Sequence, residues 1–386
     1  MTKLRRMNPE IEQTFILKEL LKNRIEQSNG WIPFDLFFNT AMYEPGLGYY
    51  SSGSYKIGQG GDFTTAPEIS KYFSKAIARQ TNRLLEMHDE PSVIEVGAGK
   101  GTFAFEYLNE LEELGVEIGQ YYILEISADL RDRQMQLISD LPKNIRDKVT
   151  WLESLDVDPI DGILIANEVI DALPFKRFTI ENNQTYELGV TLKNGELEEA
   201  TKKSGKKLSD EIEIISSEID RQFEEGFISE VRLDFQKWFK AISQMINKGS
   251  MIFIDYGYVR NDFYRSDRSK GNMICHYQNQ VIEDPFKNLG YQDISASVDF
   301  TQLANVAIDE GFFIDLFTTQ AMFLLNESSL SIIGNIDSED SRMRETQKLK
   351  KLIMPNYMGD VFKCMILSKK ISKDNFEELN HLTHTL

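Results

Sequence analysis

The chain has 386 residues, 41% of them hydrophobic, and a formal net charge of −18. This length suits one elaborated α/β domain or two lobes, and no apolar run approaches the roughly 20 residues that a membrane-spanning helix needs. The acidic charge disfavours nucleic acid as a partner and favours a cationic one, although solubility alone would also explain it. Two distant cysteines without a CxxC pair argue against disulfides and zinc, so we predict no metal and a reducing compartment.

Residues 1–90 predict an N-terminal extension of helix and loop. Leu17, Leu21 and Ile25 recur at the spacing of one helical face, and Asn29-Gly30 ends that helix. The glycine- and aromatic-rich stretch that follows, as far as Pro67, predicts an ordered loop because its aromatic side chains need a packing surface.

From residue 91 the pattern alternates strand, turn and helix. Short apolar stretches predict strands at 93–96, 121–126, 149–152, 162–166, 251–255, 312–318 and 361–367. This alternation predicts a parallel sheet with helices on both faces, formed by residues 91–174 and 248–370.

Residues 175–247 have a different pattern, which predicts an inserted α+β subdomain. Strands are predicted at 175–180 and 186–192, with a further hairpin turn at Asn194-Gly195. A helical stretch is predicted over 210–247, with a break near Gly226. The tail, residues 371–386, is predicted to be frayed.

A glycine loop, Glu95-Val-Gly97-Ala98-Gly99-Lys-Gly101, joins the first strand of the sheet to a helix. Glycines let a ligand approach the backbone, and a helix N-terminus favours negative charge, so dinucleotide enzymes place a pyrophosphate there. Glu95 would oppose a pyrophosphate but could face the methionine amino group of S-adenosylmethionine. Glu125, at the end of the second strand, suits ribose hydroxyls in either kind of enzyme, and a glycine turn without a ligand stays open.

Three polar residues, Asn167, Glu168 and Asp171, follow the apolar fourth strand. Open α/β sheets bind ligands at that edge, so these residues would face the reacting group. Two carboxylates suit a guanidinium, because they can fix its planar fork and accept the proton that methyl transfer releases. The alternative for Asp171 is a helix cap or an ion pair with Arg177.

These residues resemble the MidA-like family of S-adenosylmethionine-dependent methyltransferases, which includes the mitochondrial arginine methyltransferase that assists respiratory complex I assembly. The matching motifs are Gly48-Tyr-Tyr50, Gly61-Asp-Phe-Thr-Thr-Ala-Pro-Glu68, Glu95-Val-Gly-Ala-Gly-Lys-Gly101, Leu124-Glu-Ile-Ser127, Asn167-Glu-Val-Ile-Asp-Ala-Leu-Pro174, Asp255-Tyr-Gly257, Val298-Asp-Phe300 and Met358-Gly-Asp-Val-Phe-Lys363. The resemblance implies a class I, Rossmann-like fold with a mostly parallel seven-stranded sheet whose last strand is reversed. It also implies S-adenosylmethionine as cofactor, and symmetric dimethylation of arginine in a protein such as a complex I subunit.

The resemblance also implies which residues act. The expected catalytic residues are Asn167, Glu168 and Asp171, and the N-terminal extension would cover the cofactor. The expected cofactor contacts are Glu95, Gly97, Ala98, Gly99, Gly101, Glu125, Ile126, Glu153, Ser154, Leu155, Asn167, Thr64, Thr65 and Pro67. His276 is considered as a proton acceptor, against the stronger alternative of a packed or surface side chain. Val169-Ile170 departs from the family, in which aromatic residues are common at these positions.

Several functions stay open beside the arginine methyltransferase. They are a non-catalytic assembly factor of the same fold, a small-molecule methyltransferase and a nicotinamide-dependent oxidoreductase. The expected partner is a protein with an accessible arginine, and a homodimer is also considered. The expected location is the cytoplasm of a bacterium, or the mitochondrial matrix if the source is eukaryotic.

Overall fold

A computed structural model of the protein describes residues 9–52, 64–325, 327–336, 338–373 and 375–386. In chain order the first elements are α1 (Pro9–Gln27), β1 (Trp31–Pro33), α2 (Phe34–Tyr43), α3 (Ala66–Ile69), α4 (Lys71–Leu85), β2 (Ser92–Val96), α5 (Thr102–Glu113), β3 (Tyr121–Leu124), α6 (Ala128–Ile138), α7 (Lys143–Arg146), β4 (Val149–Leu152) and β5 (Ile160–Asn167). The middle elements are β6 (Lys176–Glu181), β7 (Gln184–Lys193), β8 (Glu196–Lys203), α8 (Lys206–Glu218), β9 (Ile228–Val231), α9 (Phe235–Ser243), β10 (Ile246–Tyr258) and α10 (Arg260–Phe263). The last are β11 (Met273–Tyr277), β12 (Gln280–Ile282), β13 (Asp293–Ala296), β14 (Val298–Asp299), α11 (Phe300–Asp309), β15 (Phe313–Thr319), α12 (Gln320–Leu324), α13 (Glu327–Gly334), α14 (Glu339–Ile353) and β16 (Phe362–Lys369).

The central sheet has the strand order β15-β16-β10-β5-β2-β3-β4, and β14 pairs with the end of β10. β16 runs antiparallel to both of its neighbours, whereas β10, β5, β2, β3 and β4 are parallel. This is the seven-stranded, mostly parallel class I sheet with a reversed last strand that the family resemblance implies.

Both faces of the central sheet are covered, which explains the continuous apolar runs of its strands. Ile163 and Ile165 of β5 pack in one core with α4 and α5, while Leu164 packs in a second core with α9 and α11. Since side chains of a strand alternate between its faces, the apolar run of β5 fills both cores and holds its polar end at the sheet edge.

A second sheet joins segments that are distant in sequence. Its order is β1-β7-β6-β9, with β8 also paired to β7, so that Ile32 of the N-terminal segment lies opposite Val190. A third sheet, β12-β11-β13, lies within residues 248–370, where the sequence predicts only core elements. The predicted domain boundaries, 1–90, 91–174 with 248–370, 175–247 and 371–386, stay a prediction.

Two predictions about regular structure are wrong. The helical stretch predicted over 210–247 does break near Gly226, but it also contains the unpredicted strand β9, in which Ser229 and Glu230 are fully buried beside β6. The predicted frayed tail is instead packed: Phe376 is buried, and the Arg83 guanidinium lies 4.8 Å from the centre of its ring. Both segments are fixed by tertiary contacts that local sequence does not reveal.

None of the helices within the described ranges combines the length and the apolar character that crossing a membrane requires.

Candidate active site

A cavity of about 520 Å³ lies at the carboxyl edge of the central sheet, where β2, β3, β4 and β5 end. Each strand end contributes to it: Glu95 from β2, Leu124 from β3, Glu153 after β4 and Asn167 from β5. A parallel α/β sheet binds ligands at this edge, so the topology alone makes the cavity the candidate site.

The glycine loop forms one wall of the cavity. Gly97 and Gly99 have φ values of +69° and +54°, which favour glycine. A Cβ on Gly97 would lie 3.1 Å from Val169 Cγ2, so the glycine lets the loop approach the segment after β5. Gly101 caps α5 and does not line the cavity.

Glu125 is held rigidly at the end of β3. Its carboxylate accepts hydrogen bonds from the Ser127 backbone N–H at 2.9 Å and from Gln134 Nε2 at 3.2 Å. Gln134 Nε2 also lies 2.7 Å from the Gly99 carbonyl oxygen, and its own Oε1 accepts from Trp151 at 2.9 Å. Gln134 therefore fixes the glycine loop relative to Glu125, a role that sequence reasoning missed.

Glu95 is buried beneath the glycine loop and lines the cavity. Burial raises the pKa of Glu95 to about 8, and the negative charge of Glu125 adds to this rise. A hydrogen bond from the Tyr121 hydroxyl at 2.7 Å opposes the rise. A cation placed in the cavity would favour the ionised form of Glu95.

Glu168 has a backbone φ of +52°, which is unusual for a residue with a side chain. Its Oε1 accepts hydrogen bonds from the Ala66 backbone N–H at 3.2 Å and from Asn167 Nδ2 at 3.3 Å. Burial raises the pKa of Glu168 to about 8, and the charge of Asp171 adds to the rise. The carboxyl group is therefore held in one orientation at a position where its charge is poorly solvated.

Asp171 lines the same cavity and belongs to a turn. Burial raises the pKa of Asp171 to about 6, while the positive charge of Arg232 limits the rise. Within the described residues its Oδ1 atom is buried without a hydrogen-bond partner. The alternative partner, Arg177, pairs with Glu199 and Glu230 instead.

Asp255 of β10 holds this turn in place by hydrogen bonds to its backbone. Its Oδ2 atom accepts hydrogen bonds from the backbone N–H groups of Ile170 at 3.0 Å and Asp171 at 3.1 Å. Its Oδ1 atom accepts from the Tyr256 N–H at 2.9 Å. Asp255 does not line the cavity, so it acts on the site through the turn.

Two tyrosines, Tyr43 and Tyr50, line the cavity near Asp171. Tyr43 donates a hydrogen bond to the Ala172 carbonyl at 2.6 Å, and Tyr50 donates one to Asp293 at 3.1 Å. Their rings are stacked with centres 5.5 Å apart. The Gly48-Tyr-Tyr50 motif indicated Tyr50, but the sequence does not show that Tyr50 packs against Tyr43 of α2.

Most of the predicted site residues meet in this cavity. The predicted residues that line it are Thr65, Pro67, Glu95, Gly97, Ala98, Gly99, Glu125, Ile126, Glu153, Ser154, Leu155, Asn167, Glu168 and Asp171. Thr64 is exposed and, like Gly101, does not line it, and neither does half-buried His276 of β11. The prediction missed several lining residues, among them Lys100 and Trp238.

Comparison with known proteins identifies the ligand class of this cavity. A family model described as "putative S-adenosyl-L-methionine-dependent methyltransferase" matches residues 76–318. The chain belongs to this family. Its cofactor is therefore S-adenosylmethionine, and the nicotinamide-dependent alternative is wrong.

Individual relatives agree with this assignment. The chain is 24% identical to the mitochondrial protein arginine methyltransferase NDUFAF7 of Danio rerio, over 93% of this chain and 91% of that protein. It is 27% identical to the NDUFAF7 homologue of Caenorhabditis elegans, over 77% and 73% of the two chains. A Burkholderia thailandensis protein, solved with S-adenosyl-homocysteine, superposes with a TM-score of 0.92 at 31% identity over the full length of both chains.

Proposed function

We propose that this methyltransferase methylates an arginine side chain of a protein partner. The observation that carries the proposal is that two carboxyl groups, those of Glu168 and Asp171, lie together at one end of the cavity. The guanidinium of Arg232 is committed to backbone carbonyls, at 2.7 Å from Ala296 O, 2.9 Å from Ser297 O and 3.2 Å from Asp171 O. A cationic acceptor would favour the ionised form of both carboxyl groups, which the poorly solvated site otherwise disfavours.

The two carboxyl groups suit different tasks. Glu168, already held by Ala66 and Asn167, would bind the guanidinium fork and draw positive charge away from the attacking nitrogen. A guanidinium nitrogen that gains a methyl group must lose a proton, and Asp171 would accept it through its unpartnered Oδ1. Its raised pKa makes Asp171 a better proton acceptor than an exposed aspartate.

The remainder of the cavity fits the cofactor, which supplies an activated methyl group when bound. We propose that Glu95 binds the cofactor's ammonium group and that Glu125 binds the ribose hydroxyls. Glu153, Ser154 and Leu155, after β4, would face the adenine, and Trp238 would pack beside the cofactor, while Thr65 and Pro67, at the start of α3, would cover it.

Lys100 is the one cationic side chain among the described residues that line the cavity. Its Nζ atom lies 3.5 Å from Glu68 Oε2, and Thr102 donates a hydrogen bond to the other oxygen of Glu68. The cofactor carries one carboxylate. We propose that Lys100 binds this carboxylate and that Glu68 positions the ammonium group of Lys100.

The finer features of the proposal come from the relatives and the family resemblance. They are symmetric dimethylation of the arginine, an acceptor protein that belongs to respiratory complex I, and a cytoplasmic or mitochondrial matrix location. The homodimer stays a prediction.

A direct test uses purified protein, S-adenosylmethionine and a pool of 15-residue peptides that each contain one central arginine. Mass spectrometry should detect a gain of one or two methyl groups on the arginine, abolished in Glu168→Gln and retained in Glu117→Gln, which changes an exposed carboxylate that does not line the cavity. S-adenosylhomocysteine binding should survive in both variants. Methylation that persists in Glu168→Gln would overturn the proposed mechanism, and cofactor binding without any methylation would favour the non-catalytic assembly factor.

A further inference from the structure

A second cleft, of about 500 Å³, lies on the surface between the end of α1 and the length of α2. Tyr43 lines both this cleft and the cavity that contains Glu168 and Asp171. The Tyr43 hydroxyl is bonded to the carbonyl of Ala172, the residue after Asp171. Tyr43 is therefore a wall residue shared by the surface cleft and the acceptor end of the active site.

The polar groups of the cleft match a polypeptide backbone. Gln27 and Asn39 are exposed, and their side-chain amides have no hydrogen-bond partner in the part of the chain that the structure describes. An amide both donates and accepts, as a peptide group does. Leu36, which is 39% exposed, and Pro45 supply apolar surface beside them.

The cleft is rigid and close to neutral. Arg24 forms an ion pair with Glu44 at 2.9 Å and also donates to Thr40, so its charge is compensated within the wall. A helix rises about 1.5 Å per residue, so Leu36 and Tyr43 are separated by roughly 10 Å along α2. An extended chain covers that distance with about three residues.

We infer that this cleft binds the segment of the acceptor protein that flanks the methylated arginine. An extended stretch of about three residues lies along α2 against the amides of Gln27 and Asn39. The arginine side chain extends beside Tyr43 to reach Glu168 and Asp171. Because the cleft itself is neutral, the buried carboxyl groups are what select the positive charge of the arginine. This inference rests on the proposed function, because it assumes an arginine acceptor within a polypeptide.

The test fills the cleft without touching the cavity. Gln27→Trp and Asn39→Trp are compared with Asn23→Trp, which changes an exposed amide one turn earlier on α1 that does not line the cleft. The acceptors are the best 15-residue peptide of the arginine pool and arginine amide, which is too small to occupy the cleft. S-adenosylhomocysteine affinity is measured by calorimetry for all variants.

We expect Gln27→Trp and Asn39→Trp to raise the KM for the peptide at least tenfold. Their KM for arginine amide, their S-adenosylhomocysteine affinity and all values for Asn23→Trp should stay within twofold of the unmodified protein. Equal peptide KM values in all variants would overturn the inference and leave the proposed function standing. Failure of the unmodified protein to methylate any peptide, while it binds S-adenosylhomocysteine, would overturn the proposed function and the inference together.

Discussion

The Asp255 carboxylate accepts a hydrogen bond from the Asp171 backbone N–H at 3.1 Å, although 84 residues separate them in the chain. The same oxygen accepts from Ile170, and the other accepts from Tyr256. Both oxygens of this buried carboxylate therefore accept hydrogen bonds from backbone N–H groups, and one of them holds the turn that contains Asp171. The turn begins at Glu168, whose left-handed backbone costs on the order of 1 kcal/mol and needs support from its surroundings.

Asp255→Asn should lower kcat for methyl transfer about tenfold or more and leave S-adenosylhomocysteine affinity nearly unchanged. An amide cannot accept hydrogen bonds on both sides, so at least one backbone N–H loses its acceptor, at a cost of roughly 1–3 kcal/mol. Steady-state kinetics together with calorimetry would separate the two effects.

The control is Asp315→Asn. Asp315 is equally buried and accepts hydrogen bonds from Ser368 and Asn375, away from the cavity. It should lower the melting temperature without lowering kcat. If both variants lose the same stability and keep full kcat, then Asp255 supports only the fold and not the catalytic turn.

Glu168 should make the protein less stable as pH rises. Its pKa is about 8 in the folded protein, against an ordinary value of 4.5, so between these values the folded state retains a proton that the unfolded chain releases. The free energy of unfolding should then fall by up to about 1.4 kcal/mol per pH unit on account of this group. Glu168→Gln removes that contribution, so its unfolding free energy should depend less steeply on pH between about 5 and 8.

Urea unfolding at several pH values measures this difference. Glu153→Gln, which changes an exposed carboxylate of the same cavity, should leave the slope of the unmodified protein in place. Identical slopes for the unmodified protein and Glu168→Gln would mean that Glu168 is ionised in the folded state at neutral pH.

The central sheet could be predicted because its strands are apolar on both faces and alternate with amphipathic helices. β9 could not, because it buries Ser229 and Glu230, two residues that local patterns place on a surface. Glu230 is tolerated inside because Arg177 on β6 lies 3.6 Å away, and that neighbour exists only after the strands pair. Local hydrophobic periodicity therefore does not indicate this strand.

The candidate site, too, could be predicted only in part from the sequence. Glu168 and Asp171 could be predicted because they follow a buried strand within one contiguous motif. Tyr43 could not, because it reaches the site from 129 residues away, when α2 packs beside the turn and bonds the Ala172 carbonyl. Short motifs thus indicate the carboxyl groups of the site, whereas the wall opposite them depends on how the N-terminal segment packs.

Lys100→Met should weaken S-adenosylhomocysteine binding at least tenfold, since a carboxylate would lose its charge partner. Binding of 5′-methylthioadenosine, which lacks the amino acid carboxylate, should change less than twofold. Calorimetry with both ligands tests the assignment, and Lys71→Met, an exposed lysine that does not line the cavity, is the control. Equal losses for the two ligands would show that Lys100 shapes the loop and does not recognise the carboxylate.

Gly97→Ala should impair cofactor binding beyond any loss of stability. The substitution forces a side chain into a backbone of φ +69° and brings its Cβ to 3.1 Å from Val169, so the loop must move where the ligand binds. Gly115→Ala is a matched control, because Gly115 has φ +70° with no atom within 4 Å of the added Cβ. Both variants should lose about 1–2 kcal/mol of stability from the left-handed backbone. Only Gly97→Ala should also weaken S-adenosylhomocysteine binding, and similar affinities in the two variants would mean that the contact with Val169 does not shape the cofactor wall.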